Sequence, residues 1–527
     1  MQFTNIVVRP DVHGEGDGRN EHTSHTSHPA PLFCHERQKT VALAKFVFNL
    51  GKSPRDGTVL SAFSLIGHGD GIHPSHISVA LNSAPKRREE RAMMKPPFAL
   101  HMVDRKEVRA WLESTKTRGM ALGLEHTKRA LELLALPAPH HEVVHVAGSN
   151  GKGTTVASLC AALTEVGIPN LSFTSPHLVR IEERIRIDGR PVAPTTFDAA
   201  LATVKAMSEQ SGLSLTFFET TFLVAMVVAS QSDVEVVVLE TGLGGRLDAT
   251  RVAHADVSVI TSLSLEHSDV LGSTLSAIAN EKVAIARPRA PLVVRRPPQT
   301  EVVEAIVAGA DKAGNPLLGE DCAPAKLHWV DAEPAWTYHQ EAMALARAAW
   351  PFIDACKAHA FPDLRGLKWP ARMQRLHGKE RADLLFILDG AHNPSGMIAS
   401  CRELEVALAD QDDWALLVGT SPQTHMRAML APLATLCEQQ PPVEIVVSVP
   451  QGGRYPGVPG DELVRHLVEV GLKPTRVTVN PEEAVQWFEG HTKVNIVVSI
   501  GSLYMQGNVM EALGAVDDDA LSIEAKQ

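Results

Sequence analysis

Gly148, Gly151, Lys152 and Gly153 crowd the run HVAGSNGKGTT at residues 145–155, directly after a short apolar stretch. Glycines there allow a tight turn in which backbone N–H groups converge on an anion. A helix N-terminus follows and adds its partial positive charge. Lys152 can reach the outer phosphates of a nucleotide, and Thr154 or Thr155 can face Mg²⁺. The spacing differs from the common G-x-x-x-x-G-K-[ST], because Gly153 is inserted before the threonines. Three glycines and a lysine between strand and helix patterns favour a phosphate loop over a purely structural turn, yet such a loop implies only nucleotide binding. Glu240 ends a second apolar run, where α/β folds place their sites. A carboxylate there suits Mg²⁺, a hard cation that takes oxygen ligands.

The elements that must position these residues are legible as periodicity. Residues 103–112 and 124–136 have apolar positions at helical spacing, residues 143–147 form a strand-like run, and 155–166 read as the helix after the loop. Strand-like runs recur at 234–239 and 257–261, then at 384–388, 415–418, 445–449 and 495–500, with helical stretches between them. Strands alternating with helices predict parallel sheets covered on both faces. The expected organisation is an extension over 1–95 without order, a central α/β domain over 96–365 and a smaller α/β domain over 366–527. The proline-bearing, charged stretch 351–370 is the joint.

Composition narrows the class. The chain has 527 residues and a formal net charge of −11, which argues against a general nucleic-acid surface. Its six cysteines, Cys34, Cys160, Cys322, Cys356, Cys401 and Cys437, are scattered without a C-x-x-C pair. Free thiols in a reducing cytoplasm are expected, rather than disulfides or zinc. No apolar run approaches the ~18–20 residues of a membrane span, and the N-terminus lacks a signal-peptide pattern. His22, His25 and His28 recur every third residue in a Thr/Ser/Pro context, and 86–91 is a mixed charge run. Both are expected to be solvated rather than metal-binding or structured.

Beyond the loop, a series of short motifs resembles the folylpolyglutamate synthase and dihydrofolate synthase family, relatives of the Mur cell-wall ligases. Gly148-Ser149-Asn150-Gly151-Lys152-Gly153-Thr154 is similar to the family's phosphate loop, and Gly123-Leu124-Glu125-His126 to the helix before it. Thr174-Ser175-Pro176-His177-Leu178 resembles the family's substrate loop, continued by Glu183-Arg184-Ile185-Arg186. The longest match runs from Leu239-Glu240-Thr241-Gly242 through Leu243-Gly244-Gly245-Arg246 to Leu247-Asp248-Ala249-Thr250. Glu266-His267, Glu281-Lys282, Trp369-Pro370-Ala371-Arg372, Asp389-Gly390-Ala391-His392-Asn393-Pro394 and Gly501-Ser502-Leu503-Tyr504 follow in the family's order.

This resemblance implies an α/β fold with a P-loop Mur-ligase-like ATPase domain, a parallel-rich sheet, and a smaller Rossmann-like C-terminal domain. It implies a cytoplasmic ligase, expected to be a monomer. ATP, with Mg²⁺, converts a folate or dihydropteroate carboxylate into an acyl phosphate, which the amine of L-glutamate attacks. A monovalent cation such as K⁺ is a further candidate cofactor; neither nucleic acid nor membrane is expected as a partner. By resemblance, Lys152, Lys282 and His267 are catalytic, with Lys282 carbamylated, and Ser175, Glu240 and His267 hold metal. Gly148, Asn150, Gly151, Lys152, Gly153, Thr154, Thr155, Arg372, Asp389 and His392 bind nucleotide. Pro176, His177, Arg184 and Arg246 face substrate.

Departures from the family pattern bear on substrate choice and adenine contacts. Arg251 stands for an asparagine and Glu266 for an aspartate, Ala371 replaces a glycine, and no asparagine follows His339-Gln340. Two alternatives therefore stay open: a Mur-type ligase acting on another carboxylate, and a nucleotide- or folate-binding relative without turnover.

Overall fold

The structure is a computed structural model that describes residues 49–52, 59–62, 104–119, 123–364, 366–411, 413–453 and 456–525. The chain divides into two units between residues 94 and 95. In the first, β1 (Asn49–Lys52) pairs antiparallel with β2 (Val59–Ala62). This strand pair lies within the extension that the sequence was expected to leave without order, 1–95. The histidine repeat, the charge run at 86–91 and Cys34 lie outside the described residues.

The second unit holds two larger sheets. In the eight-stranded sheet, β3 (Glu142–Ala147) lies between β7 (Val236–Glu240) and β8 (Val257–Ile260). Outside β8 come β9 (Pro291–Arg295) and β10 (Lys326–Val330); outside β7 come β4 (Asn170–Phe173), β5 (Ile185–Ile187) and β6 (Arg190–Pro191). All pairings are parallel except the β4–β5–β6 edge. Short β11 (Leu367–Lys368) pairs with β18 (Glu524–Ala525), returning the chain end to the expected joint. The six-stranded sheet runs β12 (Gln374–His377), β13 (Leu385–Asp389), β17 (Ile496–Ile500), β14 (Trp414–Val418), β15 (Glu444–Val447), β16 (Arg476–Val477). Only β12–β13 is antiparallel there.

The sequence VVVLE of β7 explains its central place. Val237 and Leu239 pack in one apolar layer with Phe173 and Phe222, whereas Val236 and Val238 pack in the other with Val156 and Leu159 of the phosphate-loop helix. A strand buried on both faces reads as a continuous apolar run. Each such buried side chain contributes roughly 1.5–3 kcal/mol. Among the described residues, no helix is long and apolar enough to cross a membrane. The five described cysteines are free.

Candidate active site

The phosphate loop lies where central strand β3 ends. Its helix, Lys152–Glu165, starts three residues before the expected 155, because Gly151 caps it in a left-handed conformation (φ 83°) and Thr155 N donates to Gly151 O (2.8 Å). At Gly148 (φ 154°) a Cβ would overlap the Thr261 hydroxyl, so only glycine fits. Gly153 has a close-approach reason of its own. A Cβ there would stand 3.2 Å from the Trp369 ring and 3.6 Å from the Glu240 carboxylate. Thr154 and Thr155 are buried in the first helical turn, and the Thr155 hydroxyl has no hydrogen-bond partner among the described residues.

Two lysines meet at one carbonyl of this loop. Lys152 Nζ donates to Gly148 O (3.0 Å) and Ser149 O (3.3 Å). Lys282 Nζ, on helix Leu275–Val283, donates to the same Gly148 O (2.8 Å) and to Glu266 Oε1 (2.8 Å). Lys282 is buried, not the solvated lysine that a helix position suggests. Burial pushes its pKa down, opposed by Glu266. Burial also pushes the Glu266 carboxyl up, but the Lys282 and Lys152 charges outweigh it and hold it below the ordinary carboxylate range. The loop thus concentrates positive charge at a helix N-terminus, suited to a polyanion.

Glu240, the last residue of β7, is buried beside this charge. Burial pushes its pKa up, opposed by Lys152, the backbone N–H of Ser175 (3.0 Å), Arg372 and Arg184. A narrow cleft of about 40 Å³ opens here. Gly153, Ser175 and Glu240 line it from the eight-stranded side, facing Trp369, Arg372 and Leu503. Sequence reading gave no role to Trp369, Leu503 or Arg186, which also lines the cleft. Arg186 sits on β5, between β4 and the edge strand β6, with its guanidinium 5.0 Å from the Trp369 ring. Its alternation on a three-residue strand was too short a signal to read.

Metal binding can be tested on the donor set. No group of three or more His, Cys, Asp or Glu capable of holding a metal occurs among the described residues. Mg²⁺ does not need one: it is typically held by one or two carboxylates, with substrate phosphates and waters completing its shell. Buried Glu240, with Ser175 lining the same cleft, fits that mode. His267 is exposed, in a left-handed conformation (φ 45°) that opens helix Ser268–Leu271.

Among the residues expected to face substrate, Arg184 Nε donates to His177 Nδ1 (3.0 Å), and its guanidinium lies 5.1 Å from the Phe217 ring. Burial lowers Arg184 to about 10. Burial, then the Arg184 and Lys116 charges, lower His177 to about 3, so its ring is neutral and accepts. Pro176 lines the cleft. Arg246 lies apart from this group. It is exposed and paired with Glu281 (2.9 Å).

On the six-stranded side, Asp389 ends β13 and is buried. Its oxygens accept from Tyr338 Oη (2.9 Å), Met373 N (3.2 Å), Ala391 N (3.0 Å) and Ser400 Oγ (2.7 Å). The sequence placed Asp389 at the strand end; its saturation by protein donors was not legible. Arg372 packs so closely on Gly390 that a Cβ there would overlap its guanidinium. His392 Nδ1 contacts Gly390 O (2.8 Å), and burial lowers its pKa.

The departures acquire local explanations. Arg251 is fully buried and bonded to Glu320 (2.7 and 3.2 Å) and Ala284 O (2.8 Å), with Arg287 on the same Glu320 (2.8 Å). It is a structural ion pair. Gln340 caps its own helix through Thr337 N (2.8 Å), and His339 pairs with Glu403 (3.3 Å).

A central parallel strand opening into a Gly-Lys loop, faced across a cleft by a second parallel sheet, is the arrangement of the Mur-ligase-like P-loop proteins. No protein-family model matches the chain. The folylpolyglutamate synthase of Lacticaseibacillus casei is 30% identical over 310 residues, 52% of this chain and 71% of that protein. The dihydrofolate synthase/folylpolyglutamate synthase of Escherichia coli is 39% identical over 188 residues, 36% of this chain and 44% of that one. A crystal structure of the bifunctional folylpolyglutamate synthase/dihydrofolate synthase of Yersinia pestis, complexed with AMPPNP and Mn ion, superposes with a TM-score of 0.62 at 27% identity, over 77% of this chain and 98% of that one. This chain belongs to the folylpolyglutamate synthase/dihydrofolate synthase family. Against four of the curated relatives, the E. coli protein among them, the match spans only 38–45% of their length.

Proposed function

We propose that the chain is an ATP-dependent, ADP-forming ligase that joins L-glutamate to a folate or dihydropteroate carboxylate through an acyl phosphate. The observation that carries this reading is the convergence of Lys152 and Lys282 on Gly148 O, beside a cleft that Glu240 shares with Trp369 and Arg372. A carboxylate is a poor electrophile, and phosphorylation makes it reactive. Transfer of a heavily charged phosphoryl group is catalysed mostly by positioning and electrostatics. Backbone N–H groups from Gly148 to Thr155 would cradle the phosphates, with Lys152 on the outer ones. Arg372 and His392 would approach from the other side of the cleft, with Asp389 fixing their strand end.

Glu240 and Ser175, with His267 as the resemblance implies, would hold Mg²⁺, which supplies charge neutralisation when bound. Burial lowers the Lys282 ammonium toward the neutral amine that carbamylation requires, while Glu266 favours the charged form. Pro176, His177 and Arg184 would meet the carboxylate substrate; exposed Arg246 would meet only its outer end. The two sheets would belong to lobes at 96–365 and 366–527, and closure of these lobes would complete the site. The protein would work as a cytoplasmic monomer on small molecules, with K⁺ as an additional candidate ion.

Phosphate release by purified protein with ATP, Mg²⁺ and L-glutamate, offered dihydropteroate or tetrahydrofolate separately, tests the reading. A product heavier by one glutamyl unit is expected with at least one pterin. Absence of product with both, from protein that binds ATP, would favour a different carboxylate or a relative without turnover.

A further inference from the structure

The phosphate loop is joined to the six-stranded side at one side chain. Asn150 Nδ2 donates to Ser395 Oγ (2.7 Å) and to Ser264 Oγ (3.2 Å), and its Oδ1 accepts from Asn393 Nδ2 (2.9 Å). Its backbone oxygen accepts from Thr261 Oγ1 (2.6 Å) and Ser262 Oγ (3.2 Å). Both amide protons and the carboxamide oxygen are thus engaged with protein. The contact across the cleft is equally committed. Asn393 is the N-cap of helix Pro394–Ala407, where its Oδ1 accepts from Gly396 N (2.8 Å) and Ser395 Oγ (3.2 Å) while its amide reaches Asn150. A Cβ on Gly396 would stand 3.1 Å from the capping Asn393 Oδ1 and 3.4 Å, ordinary van der Waals contact, from Asn150 Oδ1.

We infer that the Asn150 carboxamide is a positioning group: a latch between the phosphate loop and the capped helix next to His392, rather than a nucleotide ligand. An asparagine supplies both a donor and an acceptor on one short, planar arm, which lets it bond the cap and the serine at once. When the halves separate, the bonds to Asn393 and Ser395 break, so loop geometry depends on closure. The inference deepens the ligase reading and rests on it for its kinetic consequence.

The test compares wild type, Asn150→Ala, Asn393→Ala, the double variant and the milder Asn150→Ser. Backbone hydrogen exchange is followed at residues 148–152 and 394–401. Each single variant should raise exchange in both segments, about fivefold or more, and the double variant should add little, because both changes remove one shared contact. In turnover, kcat should fall about tenfold with KM for ATP within about twofold, the pattern of a lost interaction made only in the closed state. Exchange increases confined to the mutated segment, or additive effects, would overturn the latch. So would a large rise in KM for ATP with Asn150→Ala and none with Asn393→Ala, which would make Asn150 a nucleotide ligand. A wild type without turnover would remove the ligase reading, while the exchange pattern still decides the latch.

Discussion

Two glycine-rich loops follow neighbouring parallel strands, and they spend their polar groups in opposite ways. The loop after β3 folds Lys152 Nζ back onto Gly148 O and Ser149 O, ties its Ser149 and Asn150 side chains to partners outside the loop, and lines the cleft through Gly153. The loop after β7 consumes its polar groups internally. Asp248 is buried and accepts from Gly242 N, Leu243 N (both 2.9 Å), Thr250 N (3.0 Å) and the Thr250 hydroxyl, which in turn meets His145 Nε2 (2.8 Å). Its glycines answer packing: a Cβ at Gly245 would stand 2.8 Å from Glu281 O and from Ile285. Only Glu240, at its root, enters the cleft. The longest motif in the sequence is therefore mostly scaffold that holds one carboxylate, whereas the shorter motif holds the charge.

The comparison can be broken by mutation. The largest effect should come from the first loop. Lys152→Ala is expected to lower turnover by roughly 10³-fold, comparable to removing a main electrostatic stabiliser of the transition state, while the denaturation midpoint barely moves. Retained turnover in the folded variant would cost that loop its assigned role. In the second loop the effect should lie in stability. Asp248→Ala strands several buried donors and should cost about 2–4 kcal/mol in urea unfolding. A variant as stable as wild type would contradict the scaffold reading.

A pH series sharpens the contrast. Burial, then the Arg251 charge, lowers His145 to about 3, and His177 is lowered similarly. Both fall below the ordinary value of about 6.5. Their contribution to stability is therefore complete above pH 6.5 and is lost as pH falls toward 3. Each should add a slope of about 1.4 kcal/mol per pH unit in that window. Equilibrium unfolding between pH 7 and 4 checks it, and a flat profile would show that these rings are not held neutral. The smallest effect belongs to Arg246. It is 54% exposed beside Glu281, and Arg246→Ala should change stability by less than about 1 kcal/mol. A rise in KM for the pterin substrate alone would give Arg246 a place at the substrate's outer end.

Much of the fold was legible because buried parallel strands are continuous apolar runs, and ten expected strand and helix spans overlap observed elements within a few residues. The misreadings share a cause. The burial of Lys282, which the resemblance made catalytic, leaves no trace in a helix whose neighbours are mixed; packing against Gly148 and Glu266 brings it about. Arg251 looks like a substrate-side change until Glu320, 69 residues later, closes on it. The end of the loop helix was misplaced because cap geometry at Gly151 leaves no periodic signal.

The sequence by itself determined the turn at Gly148 and Gly151, the presence of a helix after it though not its first residue, and the strand ends at Glu240 and Asp389, because each depends on consecutive backbone conformations and local burial. The tertiary structure decided which groups meet. Glu240 reaches Ser175 across 65 residues, Lys282 reaches Gly148 across 134, and Asn393 reaches Asn150 across 243. Those contacts form only when strands align in register and the two sheets pack together, and no local pattern in the chain encodes that alignment.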